Sequence, residues 1–350
     1  MHGGNVWQGE GPSKWLDFSA NLRPEGPPEW VRDALVNALS EARWYPDLSM
    51  ARERAALGRF LSLHEEWVLP TPGGASAIAL AAGLEATEVL TLSPCFGEYA
   101  QLAAALGRPV RAVSLLAGRH VIGDPAARAE GALSEGCAVW LCNPLNPAGT
   151  AFAREQVRRL LEKVEAVDGW LIVDEAFIEY CPEHTCAPLL ADHERLLIVG
   201  SMTKILAIPG VRLGYLCANP RVIERLARRQ TPWALNSFAG AVLRALPEHR
   251  GELTGYADEN ERRREDLKRA LEGLGTFVYP SSAPFLLADF GRPVRPIAEA
   301  LKKWGILVRE CMDFEGVDDG AHLRLAVRTE DENGRLIDAL REALACAENR

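Results

Sequence analysis

The chain has 350 residues, of which 48% are hydrophobic and 25% are charged, and its formal net charge at pH 7 is −9. This length suffices for a large hydrophobic core and for two subdomains. The negative charge argues against nonspecific binding to nucleic acid or to an anionic membrane. The first residues lack the cationic and apolar regions of a signal peptide, and no run of about 18 apolar residues occurs. The sequence therefore predicts a soluble cytoplasmic protein that binds neither nucleic acid nor membranes.

The first 45 residues contain an arm rich in proline and glycine, followed by one helical pattern, EWVRDALVNALSEA, at 29–42. We predict that this arm and helix belong to a small domain, which the C-terminal part of the chain completes. Residues 46–256 are predicted to form a large domain.

Between residues 70 and 220, short apolar runs alternate with segments of helical periodicity. Such an alternation is typical of an α/β fold with a mostly parallel sheet that is covered on both faces. The predicted strands are 88–93, 138–143, 170–175, 196–201 and 212–218. The predicted helices are 75–85, 96–107, 153–166 and 221–229.

The C-terminal segment, 257–350, begins with a long charged helix and continues with four short apolar runs, FVYPSS, FLLADF, ILVREC and LRLAV. A final helix is predicted to begin at Asp331. This order of elements indicates an α+β unit, the main part of the small domain.

Eight cysteines are scattered along the chain, and several lie within apolar strands. Free buried thiols in a reducing compartment explain this distribution. Cys181, His184 and Cys186 are close in sequence, but their spacing matches no standard zinc site. No metal site is predicted.

Polar residues follow the predicted strands at their carboxyl ends, the edge of a parallel sheet at which ligands bind. Asn146 follows strand 138–143, and Asp174 lies at the end of strand 170–175. Strand 196–201 ends in Ser201 and is followed by Thr203 and Lys204. The glycine-rich turn TPGGAS precedes the helix at 75, and free amides at a helix N-terminus can hold a phosphate.

A lysine, a carboxylate, an amide and a phosphate-binding turn on one face are the groups that pyridoxal 5′-phosphate (PLP) requires. A lysine can lose its proton and bond to the cofactor's aldehyde, whereas an arginine remains protonated. This difference explains why a chain that otherwise prefers arginine has a lysine at position 204.

The segments SMTK, GVRLGY, NPAG and VDEAF resemble motifs of the fold-type I PLP-dependent enzymes of the aminotransferase class I/II group. The resemblance extends over nearly the whole chain. It implies a large domain with a mostly parallel seven-stranded sheet, a small α+β domain, PLP as cofactor and a homodimer.

The same resemblance implies a role for individual residues. Lys204 would bond covalently to the cofactor, and Asp174 would face the protonated ring nitrogen; these are the predicted catalytic residues. The remaining cofactor contacts that it implies are Asn146 to the ring hydroxyl, Gly74, Ala75, Ser201 and Arg212 to the phosphate, Tyr99 stacked on the ring, and Tyr45 supplied across the dimer interface.

Two N-terminal segments, HGGN and DFSAN, resemble those of family members that act on small phosphorylated substrates. Phe177 supports this resemblance, because related aminotransferases usually have tyrosine at that position. Two reactions stay open, decarboxylation of an O-phosphorylated amino acid and transamination of a phosphorylated amine. The substrate contacts that the resemblance implies are His2, Gly3, Gly4, Asn21, Arg309, Arg324 and Arg328. Arg309 matches an arginine for the substrate's phosphate, and Arg324 matches one for its carboxylate. Pro284 departs from the asparagine that relatives often have.

Overall fold

The computed structural model describes residues 3–7 and 11–348 of the chain. Its α-helices are α1 (Glu29–Ala38), α2 (Ala51–Leu61), α3 (Gly74–Ala82), α4 (Glu98–Ala105), α5 (Pro125–Ala129), α6 (Arg154–Glu165), α7 (Pro220–Ala227), α8 (Ser237–Ala245), α9 (Arg250–Glu272), α10 (Arg295–Lys303) and α11 (Glu330–Glu348). Its strands are β1 (Leu16–Asp17), β2 (Val68–Thr71), β3 (Val89–Ser93), β4 (Val110–Ser114), β5 (Leu116–Ala117), β6 (His120–Val121), β7 (Ala138–Cys142), β8 (Trp170–Asp174), β9 (Leu196–Ser201), β10 (Gly214–Ala218), β11 (Phe277–Val278), β12 (Phe285–Asp289), β13 (Ile306–Leu307), β14 (Arg309–Glu310) and β15 (His322–Ala326).

A seven-stranded sheet forms the centre of the molecule, with the strand order β2-β10-β9-β8-β7-β3-β4. The neighbours from β9 to β4 pair in parallel, whereas β10 is antiparallel to both β9 and β2. The predicted α/β fold with a mostly parallel seven-stranded sheet is confirmed. The carboxyl ends of β7, β8 and β9 consequently lie side by side at one edge.

Side chains alternate between the two faces of this sheet and supply a separate hydrophobic core on each face. In β8, Leu171 and Val173 belong to one core, and Trp170 and Ile172 belong to the other. Because both faces are covered by helices, the strands are apolar throughout, which is why the sequence pattern predicted them within one or two residues.

Two strands of the sheet were not predicted, and both lie at its edges. The strand β2 contains Pro70, which cannot donate a backbone hydrogen bond and is tolerated in edge strands. The other edge strand, β4, has half-exposed and exposed residues, so it lacks the uniformly apolar pattern of the buried strands.

The C-terminal part contains a four-stranded antiparallel sheet with the order β11-β12-β15-β14. A third hydrophobic core lies here and includes Leu286 and Leu325 from the sheet and Leu340 from α11. The long charged helix, α9, begins at Arg250, and the final helix begins at Glu330.

The N-terminal segment contacts both parts of the molecule. Leu16 pairs with Ile306 of β13, whereas α1 packs against α8, which lies within the range predicted for the large domain. The amide of Arg23 donates to the carbonyl of Lys204 at 3.3 Å, so this segment also lies against the predicted catalytic lysine. The domain boundaries at residues 45 and 256 stay predictions.

No helix among the described residues is long and apolar enough to cross a membrane. In the same ranges, 3–7 and 11–348, no group of three or more histidine, cysteine or acidic side chains could hold a metal ion. The eight cysteines form no disulfide, and Cys181 and Cys186 are buried. The cytoplasmic location inferred from the sequence stays a prediction.

Candidate active site

A cavity of about 430 Å³ lies beyond the carboxyl ends of β7, β8 and β9, between the central sheet and the antiparallel sheet. The predicted site residues that line it are Gly3, Asn21, Gly74, Ala75, Asn146, Asp174, Ser201, Lys204, Arg212, Arg309 and Arg324. Residues from the N-terminal segment, the ends of β7, β8 and β9, the start of α3 and the antiparallel sheet therefore meet at one place.

Lys204 lies just beyond the end of β9 and points into this cavity. Burial, followed by the positive charges of Arg324 and Arg212, lowers the pKa of Lys204 to about 8, although Asp174 acts in the opposite direction. Removal from water disfavours a charged amine, and two nearby cations disfavour it further. The amine is consequently neutral far more often near pH 8 than an exposed lysine would be.

Asp174 ends β8 and is buried beside the cavity. Its Oδ2 accepts a hydrogen bond of 2.5 Å from the Tyr99 hydroxyl, and its Oδ1 accepts one of 3.0 Å from the Ala176 amide. Burial raises the pKa of Asp174, whereas these two hydrogen bonds and Lys204 act against the rise. The donors fix the direction of the carboxylate at the cavity wall.

The position of Tyr99 differs from the prediction that its ring stacks on the cofactor. The ring is buried and stacks on Trp140, with 4.4 Å between the ring centroids, while its hydroxyl donates to Asp174. Phe96, three residues earlier, lines the cavity instead. Both aromatic residues belong to the segment PCFGEY, and the direction of each side chain at the start of α4 decides which of them reaches the cavity.

The glycine-rich turn leads into α3, whose first residues, Gly74 and Ala75, line the cavity. Gly73 has a φ of 91°, in the region that favours glycine. The strand β10 approaches this turn so closely that a Cβ added to Gly214 would lie 2.5 Å from the Gly74 nitrogen. The first amides of a helix have no acceptor within the helix, so those of Gly74 and Ala75 suit an anion in the cavity.

Two further side chains complete the donors around this turn. Ser201 shares a hydrogen bond of 2.9 Å with Thr203, and both residues line the cavity. Arg212 donates from Nη1 to the Pro209 carbonyl at 2.9 Å, which leaves further N–H groups of the guanidinium available. A hydroxyl, a guanidinium and a helix N-terminus together suit a phosphate group.

Arg324 is buried in β15 and reaches across the cavity to the other sheet. Its Nη1 donates to Asn146 Oδ1 and its Nη2 to the Ser19 carbonyl, each at 2.8 Å, whereas Nε has no partner. Burial lowers the pKa of Arg324 to about 10. Asn21 Oδ1, which lies in the same cavity lining, also lacks a partner. Because Asn146 uses its oxygen for Arg324, its NH₂ group is left as a donor toward the cavity.

Arg309 lies in β14, directly opposite Arg324 in the sheet. Its Nη2 donates to both carboxylate oxygens of Asp313, at 2.6 and 2.8 Å, and its Nη1 donates to the Glu310 carbonyl at 2.8 Å. Both Arg309 and Asp313 line the cavity. An arginine with an acidic partner therefore forms part of the cavity wall on the side of the antiparallel sheet.

Besides Tyr99, three predicted site residues that the structure describes lie outside the cavity lining. Arg328 is absent from the cavity lining, because its guanidinium donates to Glu332 in α11 and to the Asp17 carbonyl. In this arrangement Arg328 anchors the start of α11, and its predicted contact with the substrate stays a prediction. Gly4 donates from its amide to Ser19 Oγ at 2.8 Å, next to the lining, and His2 lies outside the described residues.

The third of these residues, Tyr45, is 80% exposed and packs on Trp233, with 4.6 Å between the ring centroids. It does not reach the cavity of its own chain. Its predicted contact with the cofactor of a second subunit stays a prediction.

Several cavity residues were missed by the sequence reasoning. They are Ser19, Ala20, Ile78, Phe96, Gly97, Gln101, Cys142, Ala176, Asp313 and Phe314. Most of these residues lie next to a predicted motif in the sequence, and this proximity is the signal that would have identified them. Asp313 follows Arg309 by four residues in an irregular segment, and no sequence pattern shows that the two side chains meet.

The residues around the cavity fit PLP. The partly buried Lys204 amine has a lowered pKa, the Asp174 carboxylate is held in place by two donors, and the Asn146 amide faces the cavity. The first residues after the anion-binding turn line the same cavity. These four features provide for the aldehyde, the ring nitrogen, the ring hydroxyl and the phosphate of this cofactor.

Residues 13–340 match the family "Aminotransferase class I and II". The chain belongs to this PLP-dependent family, and its cofactor is PLP. It is 32% identical over 362 residues to the threonine-phosphate decarboxylase of Salmonella typhimurium, with 98% of this chain and 96% of that protein covered.

Two further similarities place the chain between two groups of the family. It is 33% identical over 337 residues to the histidinol-phosphate aminotransferase of Symbiobacterium thermophilum, with 94% of this chain and 90% of the relative covered. The crystal structure of L-threonine-O-3-phosphate decarboxylase from Porphyromonas gingivalis superimposes with a TM-score of 0.84 at 25% identity, covering 94% of this chain and 99% of that one.

The lowered pKa of Lys204 leads to a prediction for the pH dependence of cofactor binding. Only the neutral amine can bond to the PLP aldehyde, so the rate at which the apo-protein captures PLP will rise with pH and level off above pH 8. With a pKa near the usual 10.5, less than about 1% of the amine would be neutral at pH 8. Stopped-flow absorbance of the bound cofactor gives the midpoint. A rate that still rises steeply between pH 9 and pH 10 would contradict the lowered pKa.

Proposed function

We propose that the protein decarboxylates O-phospho-L-threonine to (R)-1-amino-2-propanol O-2-phosphate, a reaction that serves cobalamin biosynthesis. The observation that carries this proposal is the pair of arginines, Arg324 and Arg309, which face one cavity from neighbouring strands. Two fixed cations suit a ligand that bears two anionic groups, a carboxylate near the reacting carbon and a phosphate beyond it. The similarity to the Salmonella typhimurium protein supports the same reaction.

Arg324 is the residue that suits the substrate's carboxylate. Its Nη1 and Nη2 are held by Asn146 and Ser19, so the guanidinium cannot turn away, and its unpaired Nε is left for a ligand. Asn21 lies in the same lining and can act together with it. A buried donor without a partner is costly, and a bound carboxylate removes that cost.

Arg309 is the residue that suits the distal phosphate. It lies on the strand next to Arg324, and Gly3 contributes to the same cavity from the N-terminal segment. A guanidinium binds phosphate through paired N–H groups, and a glycine lets the backbone approach an anion closely.

PLP, when bound, withdraws electrons from the bond that breaks at the substrate's α-carbon. In this proposal Asp174 keeps the ring nitrogen protonated, and Tyr99 and Ala176 keep the Asp174 carboxylate in line. When the carboxylate leaves as CO₂, its bonding electron pair stays with the substrate, and Lys204 Nζ returns a proton to the α-carbon. Arg324 fixes the carboxylate during this step, so that its bond to the α-carbon keeps one orientation.

The experiment is incubation of the PLP-loaded protein with O-phospho-L-threonine, with CO₂ and the amine product measured in the same sample. We expect both products in equal amounts without any 2-oxo acid. L-threonine serves as the matched ligand without phosphate, and it should react far more slowly because it cannot use Arg309. A strict requirement for 2-oxoglutarate would contradict the proposal.

A second candidate is a histidinol-phosphate aminotransferase, which the similarity to the Symbiobacterium thermophilum protein favours to an equal degree. This candidate predicts that the amino group of histidinol phosphate is transferred to 2-oxoglutarate, which gives glutamate without release of CO₂. A third candidate, decarboxylation of O-phospho-L-serine, differs from the first by one methyl group of the substrate. The ratio of kcat/KM for the two phosphorylated amino acids distinguishes these decarboxylases.

We further propose a homodimer in which Tyr45 reaches the cofactor of the partner subunit. Trp44, Tyr45, Leu48 and Trp233 are large apolar side chains that are exposed on one chain. A cluster of this kind is typical of a protein interface. Sedimentation of the active protein should give a dimer, and the Tyr45→Ala variant should bind PLP more weakly. A fully active monomer would be incompatible with this role for Tyr45.

A further inference from the structure

The ion pair between Arg309 and Asp313 is a feature that the proposed reaction does not explain. Each oxygen of the Asp313 carboxylate accepts a hydrogen bond from Arg309 Nη2, at 2.6 and 2.8 Å. Arg309 is almost buried, and its guanidinium also lies over the Phe314 ring at 5.1 Å. Asp313 lies in the turn that follows β14 and lines the same cavity as its partner. The arginine suited to the distal phosphate thus already has an anion beside it.

The charges around the cavity show why this pair matters. The cationic side chains in its described lining are Lys204, Arg212, Arg309 and Arg324, and the carboxylates are Asp174 and Asp313. Asp174 accepts a hydrogen bond from the Tyr99 hydroxyl and lies at the end of β8, in the central sheet. Asp313 is therefore the acid that an anionic group at Arg309 would meet. Two anions that approach one cation also repel each other, and the repulsion is strong where water is scarce.

The hydrogen bonds of Arg309 restrict its use further. The Glu310 carbonyl takes a hydrogen bond from Nη1, and Asp313 takes both bonds from Nη2. A phosphate that needs two parallel N–H groups of this guanidinium must compete with Asp313 or displace it. The affinity of the distal end for a phosphate is consequently lower than an unpaired arginine would give.

We propose that Asp313 is a specificity-determining residue, which lowers the preference of the cavity for ligands with a distal phosphate over the same ligands without one. The inference rests on the proposed function, since that function places the phosphate at Arg309. Asp313 pairs with Arg309 when no phosphate is bound, and a phosphate must overcome this pair. A ligand with a neutral distal group leaves the pair intact.

The test compares Asp313→Asn with the wild type in calorimetric titrations of the PLP-loaded protein. The probe is O-phosphoethanolamine, which has an amine and a phosphate but no carboxylate to lose, and ethanolamine is the matched ligand without phosphate. We expect Asp313→Asn to bind O-phosphoethanolamine about tenfold more tightly, the effect of removing one like charge nearby. Its affinity for ethanolamine should change by less than about twofold.

Glu310→Gln is the matched control variant. Glu310 is the neighbour of Arg309 in β14, and its side chain pairs with Arg295 at 3.5 Å, away from the cavity lining. Glu310→Gln removes the same charge from the same segment, so the affinities for O-phosphoethanolamine and for ethanolamine should stay at the wild-type values. An equal tightening in Glu310→Gln would mean that net charge, rather than Asp313, is responsible, and would overturn the proposal.

Three other results would also overturn it. Weaker binding of O-phosphoethanolamine by Asp313→Asn would show that Asp313 supports Arg309 as a phosphate ligand. Unchanged binding, or no binding by either protein, would show that the pair does not influence a phosphate. If Asp313→Asn does not fold, Asp313→Ser is titrated in the same way. The CO₂ assay with O-phospho-L-threonine is independent, so a failure of the proposed reaction is recognised separately.

Discussion

Replacement of Lys204 by alanine will abolish turnover and the covalent attachment of PLP. We expect the rate to fall by at least about four orders of magnitude, as when the nucleophile of an enzyme is removed. The cavity contains no second lysine among its described lining residues that could replace it. After borohydride reduction and denaturation, the cofactor should remain on the wild-type chain and separate from the variant.

Two comparisons isolate the chemistry of this amine. Lys204→Arg keeps the positive charge but cannot lose its proton, so it should be as inactive as the alanine variant. Lys302→Ala removes an exposed lysine of α10 and should leave the rate unchanged. Appreciable turnover by Lys204→Arg would disprove the covalent role.

Replacement of Asp174 by asparagine will reduce kcat by about two to three orders of magnitude, the usual loss when one preorganised electrostatic contact is removed. An amide cannot balance a protonated ring nitrogen. Its oxygen can still accept the hydrogen bond from the Ala176 amide, and its NH₂ group can donate to the Tyr99 hydroxyl, which can also act as an acceptor. Both contacts of the side chain can therefore be replaced, and we expect the variant to fold. Steady-state kinetics and the absorbance spectrum of the bound cofactor, recorded together, measure the change.

The matched control is Asp168→Asn, the same substitution two residues before β8. Asp168 is exposed, and its φ of 53° is one that asparagine tolerates well. It should keep the wild-type rate and thermal midpoint. If Asp174→Asn retained the wild-type rate and spectrum, Asp174 would not face the ring nitrogen.

The positions of Phe96 and Tyr99 show where the sequence was insufficient. The two residues are three positions apart in one segment, and each is an aromatic side chain that could stack on a ring. Tyr99 has a buried acceptor, Asp174, 75 residues away, and a buried ring partner, Trp140. Those long-range contacts turn it away from the cavity, and they depend on how α4 packs on the sheet.

The two arginines Arg324 and Arg328 show the same limit. They lie four residues apart, one within β15 and the other just after it. Arg324 points into the cavity, whereas Arg328 meets Glu332 as α11 begins. The family resemblance implied a substrate contact for both arginines, but the end of the strand and the start of the helix decide which of them reaches the cavity.

The sequence by itself determined the five inner strands of the central sheet and the group of residues at its carboxyl edge. Strands that are buried on both faces are apolar throughout, and their ends in a parallel sheet necessarily meet, so Asn146, Asp174 and Lys204 could be placed together before the structure was considered. The tertiary structure alone decided which side chains line the cavity on the side of the antiparallel sheet, including the pairing of Asp313 with Arg309. That side of the cavity comes from short strands and turns, whose side-chain directions depend on packing between distant segments rather than on local periodicity.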